Sequence, residues 1–217
     1  MRFRDRVDAG RQLSSHLTSF SGRGAVLVLG LARGGVPVAF EVASTLRCPL
    51  DVFVVRKLGA PGQPEYGIGA VASGGIRLVN NDAVHDLRIS PRQMEELIVQ
   101  EERELARREE LYRAGRPSLE IRNRTVIVVD DGVATGSSMR AAIAALRRQD
   151  PAQITVAIPI AARSVCQVLE KETDSIFCLA TPPDLSSVGE WYQDFSQTTD
   201  EQVRELLSQA FKFRSFR

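Results

Sequence analysis

The run Thr125-Val126-Ile127-Val128-Val129-Asp130-Asp131-Gly132-Val133-Ala134-Thr135-Gly136-Ser137-Ser138-Met139 constrains the fold more than any other part of the chain. It opens with β-branched residues from Thr125 to Val129. A short continuous apolar run ending in turn chemistry predicts a strand buried on both faces. Two aspartates follow at its carboxyl end, then a stretch of small and hydroxylic residues. Met139, Ala142, Ile143 and Leu146 then recur at helical spacing, so a helix opens near Ser137.

A strand, a small-residue turn and a helix N-terminus together make an anion site. The turn amides and the first free N–H groups of the helix converge on one point, where the helix dipole favours negative charge. Gly136 permits close backbone approach because it carries no Cβ, and Thr135, Ser137 and Ser138 add hydroxyl donors. Such a site suits a phosphate monoester. The adjacent carboxylates are acceptor-only groups that suit vicinal hydroxyls. A 5-phosphoribosyl group carries both features. Two commoner phosphate motifs fail: Gly132 and Gly136 are one residue too close for a P-loop, with Ser137 where its Lys belongs, and Gly30-Leu31-Ala32-Arg33-Gly34-Gly35 is not G-x-G-x-x-G. The second failure argues against a dinucleotide-dependent oxidoreductase.

Apolar residues, two acids, two further residues and then Ala134-Thr135-Gly136-Ser137-Ser138 resemble the phosphoribosyl pyrophosphate signature of the type I phosphoribosyltransferases. The resemblance implies an α/β fold: a mostly parallel central sheet with helices on both faces, plus a flexible lid hairpin and a small hood. It implies that Asp130 and Asp131 hold the ribose hydroxyls and, with them, Mg2+, and that Ala134 to Ser138 hold the 5′-phosphate. Ala32, Arg33, Gly34 and Gly35 match the pyrophosphate loop of that family, which often contains a non-proline cis peptide. Read from the residues alone, Ala25 to Leu31 is a second apolar strand, Pro37 suits a first helical turn, and Arg33 is a permanent cation that forks onto phosphate oxygens.

Leu50 to Val55 reads as a third strand, followed by Arg56 and Lys57. Leu58 to Gly69 has no periodicity and holds Gly59, Gly62, Gly67 and Gly69, which predicts a functional loop. Val71, Ile76, Leu78 and Val79 around Gly74-Gly75 predict a hairpin, so the lid spans about 57–79. Arg-Lys after a strand, a Pro-Gly in the loop and then Glu65-Tyr66-Gly67 are similar to the flexible loop of adenine phosphoribosyltransferases. That likeness implies pyrophosphate contacts from Arg56 and Lys57 and an acid/base role for Glu65, with Lys57, Glu65 and Asp131 as the catalytic set. For Glu65, a solvated loop carboxylate is the equally weighted alternative. The 6-oxopurine enzymes carry an aspartate at the position of Ala134, which argues against hypoxanthine or guanine as the base.

Residues 3–19 predict an N-terminal helix covering a sheet edge, with a packing role. Ser90 and Pro91 open a helix over about 91–114, whose alternating acids and arginines read as a solvated face. Strands at 154–160 and 175–179 flank a helix at 162–172, which completes a parallel sheet with its ligand sites at the strands' carboxyl ends. The resemblance places the hood and C-terminal region at about 181–217, of which 181–196 reads as loop. Trp191, Tyr192 and Phe195 either stack on a base there or pack the tail onto the core, and packing is the simpler reading.

At 217 residues the chain is read as one domain, 1–217. Its net charge of +1 offers no bulk attraction for nucleic acid, and no apolar run reaches membrane-spanning length. Cys48, Cys166 and Cys178 read as buried free thiols of a cytoplasmic protein. The whole chain is similar to a prokaryotic group of phosphoribosyltransferase-like proteins of about this length. The resemblance implies 5-phosphoribosyl 1-pyrophosphate and a nitrogenous base as partners, with neither nucleic acid nor membrane, and leaves a homodimer open. The rival reading is a non-catalytic binder or regulator on the same fold.

Overall fold

The computed structural model describes residues 2–215, apart from the side chains of Glu65 and residues 213–215. Its centre is a five-stranded parallel sheet built from β1 (Val26–Leu31), β2 (Leu50–Phe53), β6 (Thr125–Val129), β7 (Gln153–Ile160) and β8 (Ser175–Ala180) in the order β2-β1-β6-β7-β8. Every residue of β1 and almost all of β6 and β7 is buried. This is why their sequences are near-continuous aliphatic runs rather than alternating ones. Helix α2 (Gly35–Leu46) and helix α5 (Ser137–Arg147) follow β1 and β6 as crossovers, and α6 (Arg163–Glu172) follows β7. One face packs Leu27, Leu29, Val126 and Val128 against Met139, Ala142 and Ile143 of α5. The other packs Val28, Ile127 and Val129 against Val38, Ala39 and Val42 of α2.

Helix α1 (Arg6–Ser14) starts at Asp5, whose carboxylate accepts the Asp8 N–H at 2.7 Å. It packs on α2, β7 and β8. It therefore lies over the β7–β8 side of the sheet, reaching the edge strand β8, while Leu13 and, just past the helix, Leu17 and Phe20 drop into the cluster under α2.

The polypeptide leaves the main sheet after Phe53 and enters a smaller antiparallel one: β3 (Val55–Ala60), β4 (Gln63–Ala72) and β5 (Ile76–Val79). Most of the aperiodic stretch 58–69 is thus strand, not loop. Its glycines conceal the pattern because they sit where strands press together: a Cβ on Gly59 would strike the Pro64 carbonyl, and one on Gly69 the Leu78 carbonyl. After α3 (Asn81–Asp86), helix α4 (Pro91–Arg113) begins in a reciprocal Ser90–Gln93 capping box. It carries the i,i+4 pairs Glu104–Arg108 and Glu109–Arg113, the second turned inward, where Arg113 also meets Asp51 rather than forming part of a solvated face. It also grips the small sheet: Arg56 of β3 bonds Glu101 at 2.7 Å, and Arg77 of β5 bonds Glu102 at 2.6 Å. Helix α7 (Asp200–Ser215), which falls within the region expected as hood, packs on α4 and α2. No helix among the described residues is long and apolar enough to cross a membrane.

Candidate functional site

Strands β1 and β6 are neighbours, yet their next partners in chain order lie on opposite sides. In an open parallel sheet this reversal opens a crevice at the carboxyl ends of the two strands. The peptide emerging from β1 is Ala32-Arg33-Gly34-Gly35, and the one emerging from β6 is Asp130-Asp131-Gly132. The two turns touch. A Cβ on Gly35 would lie 2.5 Å from the Val129 carbonyl oxygen and 2.9 Å from the Asp130 Cα, and a Cβ on Gly34 would overlap the Asp131 carboxylate. Glycine at both positions lets the Arg33 turn lie directly against the acid pair. The Ala32–Arg33 peptide bond is cis.

Asp130 and Asp131 retain partial exposure at the crevice. Burial, then the charge of Asp131, push the Asp130 carboxyl well above its ordinary value. Burial also pushes Asp131 upward, with Arg6 pulling against it. The Asp131 N–H donates to Asp130 Oδ1 at 2.9 Å, turning that carboxylate back over the turn. Arg6, in the first turn of α1, donates through Nε to Asp131 Oδ2 at 2.7 Å. Tyr192 donates its hydroxyl to the Asp131 carbonyl at 2.6 Å.

Beyond the acids, Gly136 stands at φ +80° as the N-cap of α5, a left-handed conformation that favours glycine. Thr135, Ser137 and Ser138 are on this turn, and the Thr135 and Ser137 hydroxyl oxygens lie 3.4 Å apart. Ser137 and Ser138 share a cavity of ≈ 320 Å³ with Lys57, Gly67, Gly69 and Arg140. The structure therefore brings the lid's lysine to the same hollow as the hydroxyls of the α5 N-terminus.

The other candidates fall at varying distances from this centre. Arg33 is partly exposed, with Nη1 3.6 Å from Asp200 at the start of α7; Asp200 in turn accepts from the Tyr112 hydroxyl at 2.7 Å. Arg56 is held by Glu101 on α4, 2.6 Å from its Nη2. Glu65 lies on β4, but its side chain is outside the described residues. Tyr192 is fully buried against Phe3 and Phe195, so the packing alternative holds for its ring. Trp191 is half-buried beside the same cluster. The hood reaches the acid turn at Gly132, where a Cβ would collide with Val188. Sequence reasoning missed Arg6 and Asp200. Each is one charge among many on an amphipathic helix, and only tertiary packing sets it beside the crevice.

No three His, Cys, Asp or Glu side chains among the described residues converge as a cage for a metal ion. Mg2+ seldom needs one: it keeps several waters and takes one or two carboxylates plus phosphate oxygens from its substrate. The Asp130–Asp131 pair fits that smaller demand.

A parallel sheet whose strand order reverses beside an acid pair, followed by a hydroxyl-rich helix N-terminus and flanked by a β-hairpin, defines the type I phosphoribosyltransferase fold. The chain belongs to the phosphoribosyl transferase domain family, whose model matches residues 5–189. Two Mycobacterium tuberculosis proteins, from strains CDC 1551 and H37Rv and both provisionally named phosphoribosyl transferases, are 43% identical over 210 residues. The alignment covers 97% of this chain and 47% of theirs, so the chain spans about half the length of the curated relatives it matches. The crystal structure of TT1426 from Thermus thermophilus is similar, with 41% identity and a TM-score of 0.83 over 96% of this chain and 99% of that one.

Proposed function

We propose that the chain transfers a phosphoribosyl group from 5-phosphoribosyl 1-pyrophosphate to a nitrogenous base, releasing pyrophosphate. The observation that carries this reading is the contact between the Gly34-Gly35 turn and the Asp130–Asp131 pair at the switch point, one turn before the Gly136 cap of α5. In it, Asp130 and Asp131 accept the ribose hydroxyls. The amides and hydroxyls of Ala134 to Ser138 receive the 5′-phosphate, with the α5 dipole favouring the anion. Arg33, with the Gly34 and Gly35 backbone, faces the pyrophosphate from one side, and Lys57 approaches from the lid, with Arg56 behind it. Mg2+, held by Asp130 and Asp131 together with substrate oxygens, supplies charge neutralisation of the leaving pyrophosphate when bound. Positive charge developing at the sugar carbon is a transition-state feature that neighbouring carboxylates stabilise, as in glycoside cleavage. Closing the β3–β4 hairpin would exclude water, which otherwise hydrolyses the activated sugar. Glu65 is the proposed acid/base group toward the base, and the absence of an aspartate at Ala134 favours adenine-like over 6-oxopurine bases. The three free thiols suit a cytoplasmic setting.

Two experiments test this. Titration calorimetry with the sugar diphosphate and Mg2+ should show binding that Asp131→Asn abolishes. A pyrophosphate-release assay across purine and pyrimidine bases should then find at least one acceptor, with Glu65→Gln binding normally but not turning over. Tight binding with no release on any base would favour a regulator built on the same fold, and absence of binding would reject the site.

A further inference from the structure

Arg6 makes a set of contacts unusual for the first turn of a surface helix. Its Nε donates to Asp131 Oδ2 at 2.7 Å, and its Nη1 donates to the Ser196 carbonyl at 2.7 Å. Its guanidinium carbon lies 4.0 Å from the centroid of the Phe195 ring. The ion pair is largely withdrawn from solvent, with side-chain exposures of 12% for Arg6 and 13% for Asp131. The Tyr192 hydroxyl meanwhile fixes the backbone of the same aspartate. Asp131 is thus held at both ends by segments remote in sequence: the carboxylate by α1, the carbonyl by the hood.

A planar guanidinium with fixed donors does more than supply charge: with Nε on Asp131 Oδ2 and Nη1 on the Ser196 carbonyl, it anchors one carboxylate oxygen to the hood. With Oδ2 taken by Arg6, Oδ1 remains to receive a sugar hydroxyl. An Asp131 without Arg6 would be free to rotate, and its position beside Asp130 would favour turning away. We infer that Arg6 is a positioning residue for sugar recognition. It fixes the Asp131 carboxylate toward the ribose, and through Ser196 and Phe195 it makes the hood part of the ribose site. This rests on the ribose role proposed for Asp131.

Arg6→Met keeps an unbranched apolar side chain and removes the guanidinium donors with its contact to Phe195; Arg6→Lys keeps the charge and loses the fork. Binding of 5-phosphoribosyl 1-pyrophosphate with Mg2+ is compared with binding of inorganic phosphate, which carries no sugar. The sugar diphosphate should weaken ~10- to 100-fold in Arg6→Met, the range for one charge-assisted hydrogen bond, and by an intermediate factor in Arg6→Lys. Phosphate binding should stay within about twofold of the native protein in both. Unchanged sugar-diphosphate affinity in Arg6→Met overturns the inference alone. So does an equal loss for both ligands, which would mark Arg6 as a general structural support. If Arg6→Met does not fold, the same comparison on Arg6→Lys decides, with selective weakening of the sugar ligand supporting the inference and parallel behaviour of the two ligands rejecting it. If the native protein does not bind the sugar diphosphate, the ribose site falls, and this inference with it.

Discussion

Substituting alanine for Gly34 isolates the contact between the two turns at the switch point. Gly34 has φ −59° and ψ −31°, which any residue adopts, so backbone strain contributes nothing. The added methyl would stand 2.7 Å from the Asp131 Cγ and overlap Oδ2. Ordinary carbon–carbon contacts lie near ~3.5–4.0 Å, so the carboxylate or the Arg33 turn must shift by about 1 Å. The carboxylate is not a free end: Arg6 and Tyr192 hold its residue. A forced fit of this kind costs about 1–3 kcal/mol, and for a chain of this size Tm falls by ~2–12 °C. Differential scanning calorimetry measures this directly, with Gly24→Ala as the control. Nothing lies within 4 Å of a Cβ at Gly24, and that variant should match the native Tm or exceed it slightly. Affinity for the sugar diphosphate should also drop at least about tenfold in Gly34→Ala, because a displacement near ~1 Å disrupts a fixed hydrogen-bond constellation. A Gly34→Ala protein with native Tm and native affinity would refute the claim that the two turns are packed to contact.

The two acids should respond differently to neutralisation. Asp131→Asn relieves a buried charge but gives up the Arg6 ion pair, so the two effects offset and urea unfolding should change by under about 1 kcal/mol; Asp130→Asn, with no such pair to lose, should be neutral or stabilising at pH 7. The sign follows from linkage: Asp130 has its folded pKa raised above 3.8, so the folded state carries a penalty above that raised value, which fades as pH falls toward 3.8. Asp130→Asn should therefore flatten the stability–pH curve between neutrality and about pH 4, and a curve unchanged from native would contradict it. Arg113→Met should cost ~3 kcal/mol, because Asp51 is buried at 7% exposure and Arg113 pairs with it at 3.1 Å; a loss under about 1 kcal/mol by chemical denaturation would show that the Val52 and Leu119 N–H groups, which also donate to Asp51, suffice. Tyr112→Phe should cost about 1 kcal/mol through the lost bond to Asp200, and Arg33 should then show altered pyrophosphate affinity if that bond steadies Asp200.

The parallel sheet is readable because buried strands announce themselves. Thr125–Val129 and Gln153–Ile160 are apolar on both faces, and each leads directly into turn residues and a helix. The acid pair and the Gly136 turn are readable for the same reason, since their chemistry lies in consecutive residues. The lid is harder. At Gly59 and Gly69 the requirement is backbone proximity across strands, and this removes the side chains whose alternation would reveal strands. Helix α7 is masked by its place just after the aromatic cluster, where its stripe of Val203, Leu206 and Leu207 is short and set among charges. Arg6 cannot be read at all, because its significance depends on a partner 125 positions away. The candidate site is thus local in the groups proposed to face a ligand and nonlocal in what holds them.

A crystal structure with 5-phosphoribosyl 1-pyrophosphate and Mg2+ tests the central claim most directly. Both ribose hydroxyls should lie within hydrogen-bonding distance of Asp130 and Asp131, and the 5′-phosphate on the amides of 134–138. A phosphate seated elsewhere, or a ribose that leaves both carboxylates untouched, would contradict it.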